Sequence, residues 1–328
     1  MKTALLINRD NFEKYSAWQT PGAASAKWEL QHFGNGEPDV EKVIASQADV
    51  LVVDAIMKIG PEIIEKMPGL KLIHSQGVAY NAIDCARARE AGIYVCNCAG
   101  VNAAPVAEHA ILLILALLKS FRWGEDMAYA GKQMDAKMAC FKDGQPELGG
   151  MTVGIIGLGA IGKSLASMLK PFGCKINYYT RSGDCGAEGM AYMPLDEIYA
   201  TSDIVSLHVP VTADTTNMIN GESLKKFKRG AILINTARGE LMDHSAVVEA
   251  LKSGQLGGLG ADTLAPEPFL LDNPVLRDIP EELRRRVAIS PHVAGITAGT
   301  FIRAYERVRA NIEAVGNGQR PECVVNGL

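Results

Sequence analysis

The run Gly157-Leu158-Gly159-Ala160-Ile161-Gly162 follows the apolar, strand-like Thr152-Val153-Gly154-Ile155-Ile156 and precedes a helix-like stretch ending near Leu169. Glycines at this spacing between a strand and a helix suit a dinucleotide pyrophosphate. Gly157 permits the tight turn, Gly159 lets the phosphates approach the backbone, and Gly162 lets helix pack closely on strand. The phosphates then rest on the free N–H groups of the helix N-terminus, at Ala160 and Ile161. Three later segments carry acid–base and anion-binding side chains just beyond predicted strand ends, where open α/β sheets bind ligands. They are Ile234 to Glu240 with Arg238, Gly260 to Pro268 with Asp262 and Glu267, and Ile289 to Ala294 with His292.

These groups need a framework to hold them. Before Gly150, apolar strand candidates at Thr3 to Ile7, Val50 to Val53, Leu70 to His74 and Gly92 to Val95 alternate with helical stretches such as Val40 to Ser46 and Pro61 to Met67. After the glycine run the same rhythm returns, with strands at Lys175 to Thr180, Ile204 to His208, Ala231 to Asn235, Leu259 to Asp262 and Val287 to Ser290. Both halves therefore read as open parallel α/β sheets. Val106 to Arg122 reads as an apolar helix without a polar face, which suggests burial between domains or subunits. Thr297 to Val315 reads as a last helix returning to the first domain.

A chain of 328 residues with 48% apolar content fills two cores. A net charge of −4, with Lys and Arg scattered, excludes a nucleic-acid footprint. The N-terminal apolar stretch is too short for a signal peptide, and Ala110 to Leu118 is too short to span a bilayer. A cytoplasmic protein with no membrane partner is expected. Seven scattered cysteines suit reduced thiols, and Cys96-Asn97-Cys98 lacks the second cluster that a metal site would need, so no metal is expected.

The three later segments, together with Gly77-Val78-Ala79-Tyr80-Asn81-Ala82-Ile83-Asp84 and Val101-Asn102-Ala103-Ala104-Pro105-Val106-Ala107-Glu108-His109, resemble signatures of the D-isomer-specific 2-hydroxyacid dehydrogenases. The resemblance spans nearly the whole chain and implies two doubly wound parallel-sheet domains. A flavodoxin-like substrate domain would take 1–100 plus 296–328, and an inserted Rossmann dinucleotide-binding domain 101–295. It implies an active site of Arg238, Glu267 and His292. Arg238 would bind and polarise a 2-oxoacid through its planar donor fork. His292 would protonate the carbonyl oxygen in reduction and act as base in oxidation. Glu267 would orient the imidazole and, by its negative charge, favour the protonated form.

By the same resemblance, the backbone N–H groups of Val78 and Ala79 receive the substrate carboxylate, with Asn102 near the substrate. Asp262 falls beside the nicotinamide carboxamide, Thr236 and Ala237 supply backbone beside the nicotinamide, and His208, Val209, Pro210 and Thr212 run along the cofactor. His109 and His208 read as structural histidines. The acid that usually binds the ribose 2′-hydroxyl is missing, because Thr180 occupies its place. Arg181 and Ser182 beside it suit a 2′-phosphate, which favours NADP over NAD, although Asp184 keeps dual use open. Family members acting on phosphoglycerate tend to carry an arginine where this chain has Asp54. A small unphosphorylated 2-oxoacid such as glyoxylate or hydroxypyruvate is therefore expected, and the resemblance also implies a homodimer. The alternatives are a nucleotide-sensing, corepressor-like binding protein of the same fold and a dehydrogenase of another small anion.

Overall fold

The computed structural model describes residues 1–15, 29–34, 39–55 and 57–328. The chain divides into two compact units, Met1–Asn102 with Ile296–Leu328, and Ala103–Gly295. The first unit opens with β1 (Lys2–Leu6), α1 (Arg9–Tyr15), β2 (Glu29–His32), α2 (Val40–Ser46), β3 (Val50–Val53), α3 (Pro61–Ile64), β4 (Leu72–Ser75), α4 (Cys85–Glu90) and β5 (Tyr94–Cys96). Its strands pair in parallel in the order β2-β1-β3-β4-β5, a flavodoxin-like winding. Every residue of β3 and β4 is buried, so these strands read as unbroken apolar runs without alternation, the mark of a parallel sheet covered on both faces. Asp39 and Asp84 start α2 and α4 by accepting the N–H groups of Lys42 and Arg87. The half-exposed edge strand β2, Glu-Leu-Gln-His, carries no such run and was not among the expected strands.

The second unit comprises α5 (Ala103–Leu118), α6 (Phe121–Tyr129), α7 (Gln133–Asp143), β6 (Thr152–Ile156), α8 (Ala160–Leu169), β7 (Lys175–Tyr179), β8 (Ala191–Tyr192), α9 (Leu195–Thr201), β9 (Ile204–Leu207), α10 (Gly221–Lys226), β10 (Ala231–Asn235), α11 (His244–Lys252), β11 (Leu256–Ala261), α12 (Pro274–Arg277) and β12 (Val287–Ile289). Its parallel sheet runs β12-β11-β10-β9-β6-β7-β8. From β6 the order grows toward β8 on one side and, starting at β9, toward β12 on the other. The winding thus reverses between β6 and β9, where sheets of this kind bind ligands at the strand C-termini. Arg238, Glu267 and His292 follow β10, β11 and β12, three adjacent strands.

The apolar helix expected at Val106 to Arg122 is α5, and its apolarity has a local explanation. It packs on α8 and on β10, β11 and β12. Val106, Ala110, Leu113, Ile114, Leu117 and Leu118 are buried, and most of them share a core with Val153, Ile155, Leu165 and Leu169 of the same unit. Leu112, at 58% exposed, is a large apolar residue of α5 that this core leaves uncovered. Ser120, in left-handed backbone, stands between α5 and α6, and the two helices meet at a 60° bend. Among the described residues no single helix is long and apolar enough to cross a membrane.

The last helix, α13 (Ala298–Gly316), belongs to the first unit. Thr297 caps it by accepting the Thr300 N–H, and Ala304, Tyr305, Val308 and Ile312 complete a core with Leu5, Ile7, Val50, Val52 and Leu72. Cys96 and Cys98 lie in that core, where burial pushes both thiols up to about 12 and so keeps them protonated.

Candidate active site

In the second unit the imidazole of His292 and the carboxylate of Glu267 meet directly. Nδ1 of His292 lies 2.9 Å from Oε2 and 2.8 Å from Oε1. A carboxylate only accepts, so Nδ1 carries the hydrogen and Nε2 is left for other work. Both side chains remain accessible, at 42% and 38% exposed, as groups that meet a diffusing substrate must be. His292 sits in left-handed backbone at φ 55, a region that costs a side-chain-bearing residue free energy unless its surroundings enforce it.

The surroundings do enforce it. The Asp262 carboxylate, 1% exposed, accepts from Ser290 Oγ at 2.6 Å, Val293 N at 3.0 Å and Ala294 N at 2.9 Å, while the Asp262 carbonyl accepts His292 N at 2.8 Å. The resemblance set Asp262 beside the nicotinamide; here both its oxygens serve the turn that carries His292. The Glu267 segment is pinned in turn by His244, whose Nε2 accepts Ala265 N at 3.4 Å, and by Asn273, whose Nδ2 donates to Ala265 O at 2.9 Å.

Arg238 leaves β10 through a turn clamped by Asn235, whose Oδ1 accepts Ala237 N at 3.0 Å and whose Nδ2 donates to Arg238 O at 2.8 Å. One guanidinium nitrogen, Nη1, donates to Ala237 O at 2.7 Å, and the rest of the half-buried fork has no protein acceptor among the described residues. Gly239 then passes so close to the Glu267 segment that a Cβ there would lie 2.2 Å from Ala265 N.

The cofactor segments fit a dinucleotide on three counts. First, the glycines of the fingerprint divide the work: a Cβ on Gly157 would strike His208 O at 2.5 Å and one on Gly162 would strike Gly157 O at 2.2 Å, whereas Gly159 faces open space. Second, Gly159 caps α8 without a side-chain bond, so the N–H groups of Ala160 and Ile161 are left for an anion. Third, His208 Nδ1 and Thr236 Oγ1, just beyond β9 and β10, are buried without partners, a costly condition that a bound polar ligand relieves. Burial pushes His208 down to about 4, so its ring is neutral, with Nε2 2.8 Å from Ser206 Oγ. Val209 flanks Gly157, and Thr212 is tied into the next turn by Thr215, which accepts its N–H at 2.7 Å and donates to Pro210 O at 2.7 Å.

Beyond β7, Thr180 Oγ1 donates to Gly183 O at 2.5 Å and so closes a turn with Arg181 and Ser182 at its exposed corners. Arg181 has no protein partner among the described residues. Asp184, the other candidate for the ribose, accepts from the Tyr178 hydroxyl and from Gly186 N, and the Tyr178 bond holds its carboxyl below the usual range.

The first unit carries its own anion-ready loop. The carbonyls of Val78 and Ala79 are taken by Asn97 Nδ2 at 2.7 Å and Ser75 Oγ at 2.7 Å, while their N–H groups have no acceptor among the described residues. The Asn102 amide is likewise uncommitted, and Asp54 accepts from Gln76 Nε2 at 3.1 Å. The sequence reading missed the supports: Asn235 and Ser290 sit at strand ends and Asn273 at the start of α12, and a polar residue at such a place carries no signal of what it will clamp.

The family described as D-isomer specific 2-hydroxyacid dehydrogenase, NAD binding domain, matches residues 111–294. A glyoxylate reductase of Korarchaeum cryptofilum is 35% identical over 305 residues, covering 91% of this chain and 90% of the relative. A glycerate dehydrogenase of Methylorubrum extorquens is 36% identical over 265 residues, covering 80% and 81%. Among solved structures, a D-2-hydroxyisocaproate dehydrogenase superposes with a TM-score of 0.84 at 27% identity, over 100% of both chains.

Proposed function

The chain belongs to the D-isomer-specific 2-hydroxyacid dehydrogenase family and is a nicotinamide-dependent D-2-hydroxyacid dehydrogenase, and on that premise we propose that it reduces glyoxylate or hydroxypyruvate with His292 as the proton donor. The observation that carries the reading is the His292–Glu267 pair, which commits Nδ1 and leaves Nε2 to the reacting oxygen. The nicotinamide, when bound, supplies the hydride. Arg238 holds the carboxylate and draws electron density from the carbonyl. His292 then gives its Nε2 proton to the oxygen as negative charge develops there, and Glu267 stabilises the imidazolium before the transfer. In oxidation the same nitrogen takes the proton back.

For the cofactor, the N–H groups of Ala160 and Ile161, beside the open face of Gly159, would hold the pyrophosphate, and Thr236, Ala237 and His208 would hold the nicotinamide end. NADPH is the favoured form in this proposal. Arg181 offers a guanidinium without a protein partner among the described residues, Ser182 Oγ beside it lies 3.3 Å from Thr180 Oγ1 and keeps acceptor and exchange capacity at the turn corner, and the carboxylate of Asp184, which would repel a 2′-phosphate, is held by Tyr178 and Gly186 N. Asp54 does not suit a phosphorylated substrate, and the relatives named glyoxylate reductase agree with a small one. The corepressor-like alternative is disfavoured by the intact Arg238, Glu267 and His292 set.

A homodimer and a cytoplasmic location complete the proposal. The apolar surface available for a second copy lies on α6 and α7, where Phe121, Tyr129, Met134, Met138 and Phe141 are all more than half exposed. All seven cysteines are free thiols, as a reducing compartment keeps them. The test is a panel of glyoxylate, hydroxypyruvate, pyruvate and a branched 2-oxoacid, each with NADPH and with NADH, followed by loss of reduced-nicotinamide absorbance. Turnover of the small acids is expected; cofactor binding without turnover of any 2-oxoacid would overturn the reading.

A further inference from the structure

His109 lies on α5, far in sequence from the residues assigned above, yet its Nε2 is 2.6 Å from Ser290 Oγ. Ser290 Oγ is also 2.6 Å from Asp262 Oδ1. The Asp262 carboxylate can only accept, so the Ser290 hydroxyl hydrogen points to it, and the Ser290 oxygen must accept from His109. The bonds converge on one carboxylate: His109 Nε2–H donates to Ser290, Ser290 O–H donates to Asp262, and the N–H groups of Val293 and Ala294, the two residues after His292, donate to Asp262 as well. His109 is held by a helix whose apolar residues are locked in the core, and its side chain is only 15% exposed. Asp262 lies just beyond β11, an interior strand paired on both sides. The strained φ of His292 is therefore braced from a helix and a strand at once.

We propose that His109 and Ser290 are positioning residues which, through Asp262, hold the His292 turn in the left-handed conformation that aims Nε2 at the reacting oxygen. This rests on the reading of His292 as proton donor. Neither residue touches substrate. Their work is to keep a proton donor within the fraction of an ångström that transfer demands, and misplacement by about 1 Å costs on the order of 10²-fold in rate.

The experiment compares Ser290→Ala, Ser290→Thr, His109→Leu and His109→Gln in the full chain, with His292→Ala as reference. Ser290→Ala and His109→Leu are expected to lower kcat by roughly 10- to 100-fold, with reduced-cofactor affinity unchanged by fluorescence titration. Ser290→Thr keeps the hydroxyl and His109→Gln keeps a donor, so both are expected to recover most of the rate. The solvent deuterium isotope effect on kcat should rise in the slow variants, because proton transfer becomes more limiting. A lower active fraction from partial unfolding would reduce kcat and leave that isotope effect as it was. Wild-type kcat in Ser290→Ala, with His292→Ala inactive, would overturn the positioning role alone; full turnover in His292→Ala would overturn the proton-donor reading instead.

Discussion

Gly239 and Ala265 are in backbone contact: a Cβ added to Gly239 would come within 2.2 Å of the Ala265 nitrogen and 2.3 Å of the Leu264 carbonyl carbon. This contact joins the turn bearing Arg238 to the segment bearing Glu267. Gly239→Ala must push the two apart, since backbone cannot swing aside as a side chain can. The expected cost is about 1–3 kcal/mol of stability, with a fall in kcat/KM from misplacement of Arg238. Denaturant unfolding beside steady-state kinetics checks it, and a variant with wild-type kinetics would show that the contact does not set the site.

Glu267→Gln keeps the shape of the partner of His292 and removes its charge. The amide no longer stabilises imidazolium, so kcat for reduction should fall by about 10²-fold, within the range that acid–base assistance contributes. Steady-state kinetics check it, and a kcat equal to that of the parent would exclude the assigned role of Glu267.

Arg181 has no protein partner among the described residues, so its removal tests recognition with little structural disturbance. Arg181→Ala is expected to weaken NADPH binding by about 10- to 100-fold, the loss of one charge-assisted contact, and to leave NADH binding almost unchanged. Equal weakening of both would remove the 2′-phosphate assignment.

His74 gives the first unit a dependence on pH. The ring is fully buried, Nδ1 donates to Ser75 O at 2.8 Å, and Nε2 accepts from Asn311 Nδ2 at 2.9 Å. Asn311 cannot turn its carbonyl to the ring, because its Oδ1 accepts Glu322 N and its Nδ2 also donates to Glu322 O. Burial pushes the His74 pKa down to about 4 from 6.5. Between those values the unfolded chain binds the extra proton and the folded chain does not, so stability is full above pH 6.5 and falls as pH drops toward 4. The loss from this group is on the order of 3 kcal/mol, and burial of His208 adds a loss of the same sign in the second unit. Denaturant unfolding at pH 7 and pH 4.5 should show the decline, and His74→Gln should flatten it.

The apolar face of α6 and α7 predicts a dimer in light scattering. Met138→Glu together with Phe141→Glu should shift the mass toward that of a monomer, and a parent protein already monomeric at working concentration would sink the assignment.

Much of this was legible in the sequence because parallel strands buried on both faces are written as short apolar runs. Val50 to Val53 and Ile204 to Leu207 could be read almost to the residue. The fingerprint was legible because each glycine answers a steric demand that the next strand or helix makes. What escaped was the bracing of the site. Ser290 and His109 are 181 positions apart, and a hydrogen bond between them follows from the fold and from no local pattern. The apolarity of α5 was legible, but not that most of its buried face packs in the core of its own unit, since sequence shows that a helix is covered and not by what.

The first unit is assembled from both ends of the chain. Leu5, Val52 and Leu72 share a core with Tyr305, Val308 and Ile312, and Asn326 binds the Val95 N–H and the Ile93 carbonyl beside β5. During synthesis the contiguous second unit, 103–295, is therefore the first to have all its parts outside the ribosome. Strands β1 to β5 leave the ribosome before α13, so one face of their sheet goes without its helix until that segment has been made, and apolar surface of the first unit stays open to wrong partners for longer than that of the second.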